Sequence, residues 1–340
     1  LNYLIDVLSY NTYYSSFNAN MAMNEAFLPS STVRDNVVNI AKLLNYVPRS
    51  IQASQATVNI QVQTIQSSGS YPSTVTLKKG AVATGGNYVW NVMSDTTAEV
   101  NSTTGIATFN NLILKEGSVV TFQYVVNTFA TQNYKVPSED ADITTLSVRV
   151  KANESSTTSD LYNLVDTITG LTASTRVYFL SEGEDMRYEV KFGDDSVGRA
   201  LKDGEVVLLE YLVTSGEEAN DVDRFSYVGR MTDTLAQSYP VSAITMTRVA
   251  RSQNGSAAET IESIKYNAPR FYSSQYRAVT AGDYAILTKK VYPNADAVVA
   301  YGGDSLNPPV YGKVFVAVKT ATGATLNDQT KKNIASDLRK

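Results

Sequence analysis

The sequence predicts an α+β protein with an N-terminal helical hairpin for a multi-chain bundle, β-rich middle domains and a C-terminal α+β domain. Three patterns predict this order. Apolar side chains recur every three or four residues up to Leu28, alternate with a period of two from Thr57, and return to helical spacing after Ser256. We expect domains at 1–50, 51–160, 161–250 and 251–340, the last continuing beyond this segment.

The first 28 residues lack Gly and Pro and carry one stripe of large apolar side chains. The stripe alternates spacings of four and three, as at the a and d positions of a heptad, and Asp6 and Glu25 are the charged residues of the whole stretch. Because so little of this helix looks solvated, we expect other chains to bury the stripe, although a helix packed on its own domain would show the same pattern. The stripe, called the seam below, consists of Tyr3, Val7, Tyr10, Tyr14, Phe17 and Met21.

A second helix is predicted directly after the first. Thr32 and Asp35 stand three residues apart, which is the spacing of a helix cap, and the run 46–48, which contains Pro48, should end the helix. The two helices together predict a hairpin.

From Thr57 the sequence is typical of short strands separated by turns that contain glycine. Val58, Ile60 and Val62 should share one face of the first strand. Residues 206–213 are apolar on both faces and therefore predict a central strand. The other strands that we expect in the first β-rich stretch are 73–78, 87–93, 106–114, 118–127 and 143–151.

Two capped helices are predicted between Ser252 and Lys290. Ser256 and Glu259 have the spacing of a capping box, and Pro269 should end the helix that they open. Thr280 and Asp283 repeat the box at the start of the next helix. Strands at 296–301 and 313–319 and a final helix should complete a terminal α+β domain.

Composition excludes several kinds of chemistry. The 340 residues include no His and no Cys, so a thiol nucleophile, a His-based triad and an ordinary zinc site are all excluded. The net charge of −4, with 18% charged residues, gives no basic surface for nucleic acid. No apolar run is long enough to cross a membrane. The 22 Tyr residues instead suit protein contacts.

Acidic pairs are the remaining candidates for catalysis or for binding a hard cation. The clusters at 182–185, 194–195, 217–218 and 221–223 lack the spacing of a calcium loop, and we interpret them as solvated acids in turns. We therefore expect no enzyme activity, no catalytic residue, no cofactor and no metal.

Two stretches carry recognisable motifs. One has an acidic helix at 259–265, then Ala268-Pro269, then the run from Arg277 to Tyr284. The other runs from Phe192 to Gly198. Both stretches resemble the baseplate J-like family, in particular the large wedge subunits of T-even-type contractile tails, although Asp195 stands where Gly is commoner in that family. Over roughly 160–340 the resemblance lies in specific motif residues. Over 1–160 it lies in the order of the domains, a helical bundle followed by a β domain. It implies structural roles for Phe192, Gly193, Asp194, Gly198, Pro269, Arg277, Thr280, Asp283 and Tyr284.

The same resemblance implies a virion protein of the tail baseplate, made in the host cytoplasm, that takes part in baseplate assembly and in its conformational change at infection. Two copies would join a second, larger wedge chain through the N-terminal bundle, and copies from neighbouring wedges would close a ring around the hub. Hub and sheath-proximal proteins are further candidate partners. Nucleic acid and membrane are not expected as partners.

An alternative from another class is a β-rich tail protein that binds a receptor or a glycan. The many Tyr residues and the acidic pairs would suit it. The lack of His and the single Trp count against it.

Overall fold

The computed structural model describes residues 2–67, 69–165, 170–292, 295–320, 326 and 328–339. The chain divides into two compact units. The first unit comprises Leu1–Arg49, Ser181–Met186 and Glu259–Lys340, and the second comprises Ser50–Leu180 and Arg187–Ala258. Helices, strands and sheets are all present, so the predicted α+β class is confirmed.

Every α-helix in the described residues belongs to the first unit. These helices are α1 (Asn2–Glu25), α2 (Arg34–Leu43), α3 (Ile261–Ser274), α4 (Ala281–Val291) and α5 (Asp328–Asp337).

Strands make up most of the second unit, and one further pair lies in the first. In chain order they are β1 (Gln55–Gln63), β2 (Thr74–Leu77), β3 (Gly80–Gly85), β4 (Tyr88–Val92), β5 (Thr96–Glu99), β6 (Ile106–Glu116), β7 (Ser118–Val125), β8 (Tyr134–Lys135), β9 (Ala141–Lys151), β10 (Asp160–Leu164), β11 (Val177–Glu182), β12 (Tyr188–Phe192), β13 (Val206–Val213), β14 (Ser226–Tyr227), β15 (Met231–Asp233), β16 (Ile244–Gln253), β17 (Ala295–Gly302) and β18 (Val314–Thr320).

The described strands form four sheets. A six-stranded sheet has the order β14-β3-β4-β6-β1-β16, and a seven-stranded sheet has the order β7-β13-β9-β10-β11-β12-β8. A three-stranded sheet has the order β15-β2-β5, and β17 pairs with β18. The larger sheets therefore draw strands from both 51–160 and 161–250. The division into four domains stays a prediction.

Each large sheet carries its own core. In the six-stranded sheet, Val58, Ile60 and Val62 of β1 are fully buried beside Trp90, as the period of two predicts. In the seven-stranded sheet, β13 lies between β7 and β9 and is therefore an interior strand, as its two apolar faces predict. Its Leu209 is buried in the second core.

The predicted capping box at Ser256 and Glu259 is wrong. Ser256 instead forms an isolated β-bridge with Gln52, and α3 begins five residues later at Ile261. Thr260 caps α3 by accepting a hydrogen bond from the N–H of Ser263. The Glu259 carboxylate accepts from Tyr46 and Arg49, far along the chain, and from two side chains of α3. The N–H of Ser256, which a capping box would pair with Glu259, donates to Gln52.

The prediction that Pro269 ends this helix is also wrong, since α3 runs through Pro269 to Ser274. A proline inside a helix removes one backbone hydrogen bond. Here the next turn still buries Phe271, whose ring centroid lies 5.6 Å from that of Tyr46 in an edge-to-face contact. Burial of Phe271 offsets the lost bond, and α3 ends where Gln275 adopts a left-handed conformation.

Candidate partner interface

Helix α1 contributes no buried residue to its own chain, although it is 24 residues long. The exposed fractions of Tyr3, Tyr10 and Phe17 are 79%, 64% and 53%. The remaining seam residues, Val7, Tyr14 and Met21, are also exposed. The seam is therefore uncovered within this chain, and its burial by other chains stays a prediction.

Apolar exposure on α1 is not limited to the seam. The other large apolar side chains that α1 leaves exposed are Leu4, Ile5, Leu8, Tyr13 and Met23. Leu4, Ile5 and Leu8 lie in the first half of the helix, beside the seam. A helix that is apolar on more than one face is typical of the interior of a bundle.

Three tyrosines contact one another edge to face along the middle of α1. The ring centroids of Tyr10 and Tyr14 lie 4.5 Å apart, and the hydroxyl of Tyr10 donates a 2.8 Å hydrogen bond to that of Tyr14. The Tyr13 ring meets the Tyr14 ring edge-on at 5.7 Å. The seam is therefore a preformed aromatic surface that also offers hydroxyl groups.

The carboxylate of Glu25 ties the end of α1 to the start of α2. It accepts hydrogen bonds from the side chain of Asn36, the hydroxyl of Ser31, and both the hydroxyl and the N–H of Thr32. The N–H of Val33 also donates to it, at 3.2 Å. The side-chain bond from Asn36, followed by the other donors, holds the pKa of Glu25 well below its usual range.

The predicted cap of α2 by Thr32 and Asp35 is therefore wrong. Val33 occupies the cap position and makes no side-chain cap bond. The hydroxyl of Thr32 is instead used by Glu25, at 2.7 Å. The Glu25 carboxylate thus holds the residues that lead into α2, while the backbone of the first turn of α2 has no side-chain cap.

Below this junction, α2 packs on α3 through a small apolar core. Its buried members are Leu28, Val37, Val38, Ala41, Ile264 and Ala268. Leu28, which follows α1, packs in this core with α2 and α3, so the C-terminal end of α1 adjoins a packed region.

A buried ion pair fixes the first turn of α2. Nε of Arg34 lies 2.8 Å from Oε1 of Glu182, whose side chain is only 1% exposed. Burial raises the pKa of Glu182, and the Arg34 guanidinium opposes that shift. The interpretation of the acids at 182–185 as solvated is thus wrong for Glu182.

Glu259 is the second buried acid of this unit. Its carboxylate accepts hydrogen bonds from the hydroxyls of Tyr46 and Ser263, the side chain of Asn267 and the N–H of Arg49. These donors join the end of α2 to the start of α3. The donors explain why this acid is tolerated in a buried position.

The family-like turn after β12 is held by its own side chains and backbone. The Phe192 ring packs edge-on against Tyr134 and Tyr162. Asp194 accepts the N–H groups of Val197 and Ser196, which lowers its pKa. Asp195, at the position where glycine is commoner, has a left-handed φ of 65°.

Two glycines close the same turn. A side chain on Gly193 would meet the backbone of Gly198, and Gly198 has a φ of 81°. Both positions therefore require glycine.

At the start of α4 the predicted capping box is present. Oγ1 of Thr280 accepts from the N–H of Asp283, and the carboxylate of Asp283 accepts from the N–H of Thr280 at 2.8 Å. Arg277 is exposed and donates to the side chain of Gln275. Tyr284 is half-buried. Structural roles for the family-motif residues as a set stay a prediction.

The described ranges contain no group of three or more acidic, His or Cys side chains placed to bind a metal ion. None of the helices in those ranges combines the length and the apolar character needed to cross a membrane.

Sequence reasoning missed Glu25, Arg34 and Glu259 as organising residues. Glu25 carried a signal, because it is one of two charges in an otherwise uncharged stretch. Arg34 carried none, because its partner Glu182 lies 148 residues away. Glu259 was assigned to a capping box, and its contact with Tyr46, 213 residues away, left no sign in the sequence.

The family model and the curated relative that match this chain are both described as baseplate proteins. Residues 280–340 match the family model described as baseplate structural protein gp6, C-terminal domain I. The whole chain is 24% identical, in an alignment 360 positions long, to baseplate wedge protein gp6 of Enterobacteria phage T4. The chain spans 52% of that relative, about half its length.

Among solved structures, a chain of the anti-feeding prophage baseplate matches 90% of this chain and is matched over 58% of its own length. The identity is 16% and the TM-score is 0.25, which is too low to argue for a shared fold.

Proposed function

We propose that this chain, a phage tail baseplate wedge subunit related to gp6, joins other wedge chains through α1. The observation that carries the proposal is the uncovered seam on a helix without a buried residue. Each large apolar side chain of the seam gains roughly 1.5–3 kcal/mol when it is buried. A partner helix is therefore the favoured cover for this surface.

The exposed Leu4, Ile5 and Leu8 favour a bundle of more than two helices. They add a second apolar face that one partner helix packed on the seam would leave in water. Two copies of this chain together with one helix of a larger wedge chain would cover both faces.

The larger role in the proposal is the one that the resemblance to the baseplate J-like family implies. Copies in neighbouring wedges would meet to close a ring around the hub, and this ring would take part in assembly and in the conformational change at infection. Catalysis has no place in this role. The chain would act by binding and by holding position.

Deleting residues 2–24 tests the role of α1. This deletion removes the seam but keeps Glu25, which accepts donors from Ser31 to Asn36, and Leu28, which belongs to the core of the first unit. The truncated chain and the 340-residue chain would each be co-expressed with the other wedge subunits of the same phage. Co-purification of those subunits should be lost with the truncated chain while its thermal unfolding is unchanged.

A variant of the full chain in which exposed polar residues of α1 that lie away from both apolar faces, Ser9 and Asn20, are changed to Ala serves as the matched control and should co-purify normally. Normal assembly of the truncated chain would contradict the proposal. Binding of glycans by the isolated chain on a glycan array would support the receptor-binding alternative instead.

A further inference from the structure

A cleft of about 630 Å³ in the second unit carries three carboxylates. It lies where β4, the turn from β6 to β7 and the end of β13 meet. The carboxylates belong to Glu116, Asp140 and Glu218, and none of the described residues that line the cleft is Lys or Arg. A cleft of this volume is within the size range of ligand pockets.

Backbone bonds fix the part of the cleft around Gly117. The N–H of Gly117 donates to the carbonyl of Val89 at 3.0 Å, and the buried side chain of Asn91 donates to the carbonyl of Gly117 at 2.6 Å. These bonds hold β4 against the turn between β6 and β7. The cleft is therefore formed by the folded chain itself, before any ligand binds.

Glu116 is the group in this cleft that points to a ligand. It is only 3% exposed, and its Oε2 accepts hydrogen bonds from the hydroxyl of Thr214 at 2.5 Å and from the N–H of Ser215 at 3.1 Å. Both donors line the cleft. Within the described ranges Oε1 accepts no hydrogen bond, yet it is not among the unpartnered polar atoms that are sealed from solvent. Oε1 is therefore open to the cleft.

No cation compensates the charge of Glu116 in the part of the chain that the structure describes. The ion pairs formed there involve other acids. A carboxylate that is almost completely buried is costly unless it is paired and fully hydrogen-bonded. The unused Oε1 therefore favours a ligand that brings a positive charge and a hydrogen-bond donor.

The arrangement favours an organic cation over a metal ion. In the described ranges these acids do not form a group that could hold a metal. Asp140 and Glu218 are exposed, so they extend the negative charge from Glu116 toward solvent. Tyr88 also lines the cleft and adds an aromatic ring, which attracts cations.

We propose that this cleft binds an arginine side chain carried by another baseplate protein, with its guanidinium at Glu116 and the adjoining backbone near Asp140 and Glu218. A guanidinium is more weakly hydrated than an ammonium and offers five donors in one plane, so it suits a buried carboxylate better than lysine does. The volume also leaves room for residues beside the arginine.

The cleft belongs to the second unit and does not involve α1, so the inference goes beyond the proposed function. Only the assignment of the partner to the baseplate rests on that function. Binding of a guanidinium can be tested with the chain alone.

Saturation-transfer NMR with the 340-residue chain tests the ligand chemistry, using Nα-acetyl-arginine amide as the probe. Nα-acetyl-citrulline amide is the neutral control of the same shape. The arginine amide should bind about tenfold or more tightly, because hydrogen bonds between charged groups are roughly twice as strong as neutral ones.

Glu116→Gln should weaken binding of the arginine amide about tenfold, since it removes the buried charge and keeps an acceptor oxygen for Thr214 and Ser215. Glu217→Gln is the matched control, because Glu217 is an exposed acid beside Glu218 that does not line the cleft. A chain with both Asp140→Asn and Glu218→Gln covers the case in which Glu116→Gln fails to fold, because both side chains are exposed. It should also bind the arginine amide more weakly.

The inference is overturned if the two amides bind the natural chain equally, or if neither binds. It is also overturned if every variant that folds binds the arginine amide as tightly as Glu217→Gln does. Neither result depends on α1 or on any other subunit.

Photo-cross-linking tests the source of the arginine. Ser118 lines the cleft and is exposed, so Ser118→p-benzoylphenylalanine would place a cross-linker there. In co-expressed wedges, mass spectrometry should find cross-links to an arginine-containing segment of another chain, and Glu116→Gln should reduce them about tenfold. Binding of the arginine amide without such cross-links would overturn the protein partner and assign the cleft to a free guanidinium compound. Deletion of residues 2–24 would leave the amide titration unchanged, so failure of the α1 proposal is distinguishable from failure of this one.

Discussion

The hydroxyl of Tyr46 lies 2.9 Å from each carboxylate oxygen of Glu259, although 213 residues separate them in the chain. Burial raises the pKa of Tyr46, and the charge of Glu259 raises it further. Tyr46 therefore stays a neutral donor and holds the end of α2 against the residues that precede α3.

Tyr46→Phe should destabilise the first unit by about 1.5–3 kcal/mol, because it removes a hydrogen bond to a buried charged group. Helical circular dichroism during urea unfolding would measure this, since every described α-helix lies in that unit. Tyr272→Phe, at an exposed position, should change stability little. Equal stabilities for the two variants would contradict the role of this contact.

Arg34→Ala should destabilise the first unit by about 3–5 kcal/mol, since it leaves a buried carboxylate without its cation. Glu182 is that carboxylate, and its side chain is 1% exposed. The same unfolding measurement applies, with the exposed Arg277→Ala as the control. If Arg34→Ala lowers the free energy of unfolding by no more than Arg277→Ala does, then Glu182 is neutral or has another donor, and the prediction is wrong.

Asp283→Ala should cost about 1 kcal/mol through loss of the capping box. The backbone N–H of Thr280 lowers the pKa of Asp283, so the folded state favours its carboxylate. This contribution is complete above the unfolded pKa of about 3.9 and is lost as the pH falls through the folded-state value. The difference in unfolding free energy between wild type and Asp283→Ala should therefore shrink below pH 4, and a constant difference would argue against the cap.

Phe17→Lys should weaken association with wedge partners about tenfold to a hundredfold, the equivalent of leaving one large apolar side chain unburied. The stability of the isolated chain should not change, because Phe17 is 53% exposed. Titration of a labelled chain against purified partner subunits would measure the affinity. Asn20→Lys, on the face of α1 away from both apolar faces, is the matched control, and an equal loss of affinity for both variants would indicate a general charge effect and not burial of the seam.

Local patterns predicted the elements whose causes are local. Val206–Val213 was predicted with its observed bounds, since a run that is apolar on both faces fits only a strand covered on both sides. The capping box of Thr280 and Asp283 was predictable because both partners lie within four residues.

The failures have long-range causes. Ser256 and Glu259 show the spacing of a cap, but Gln52 and Tyr46 engage them from far along the chain. Strand β16 was missed because an edge strand that alternates Thr, Arg and apolar residues has no clear apolar period. The seam was visible in sequence, whereas the exposure of α1 on every side required the structure.

Most residues that contact a partner must also keep the fold of their own chain stable. In α1 these two requirements are separate, because the helix has no buried residue. Because no residue of α1 is buried in the described part of the chain, we expect substitutions from Asn2 to Asn24 to change partner binding with little cost to folding. Selection can therefore change the side chains of α1 that contact other subunits one at a time. Complementary substitutions in a partner helix can then follow. In such a protein the assembly contacts are free to diverge faster than the sheets that they connect.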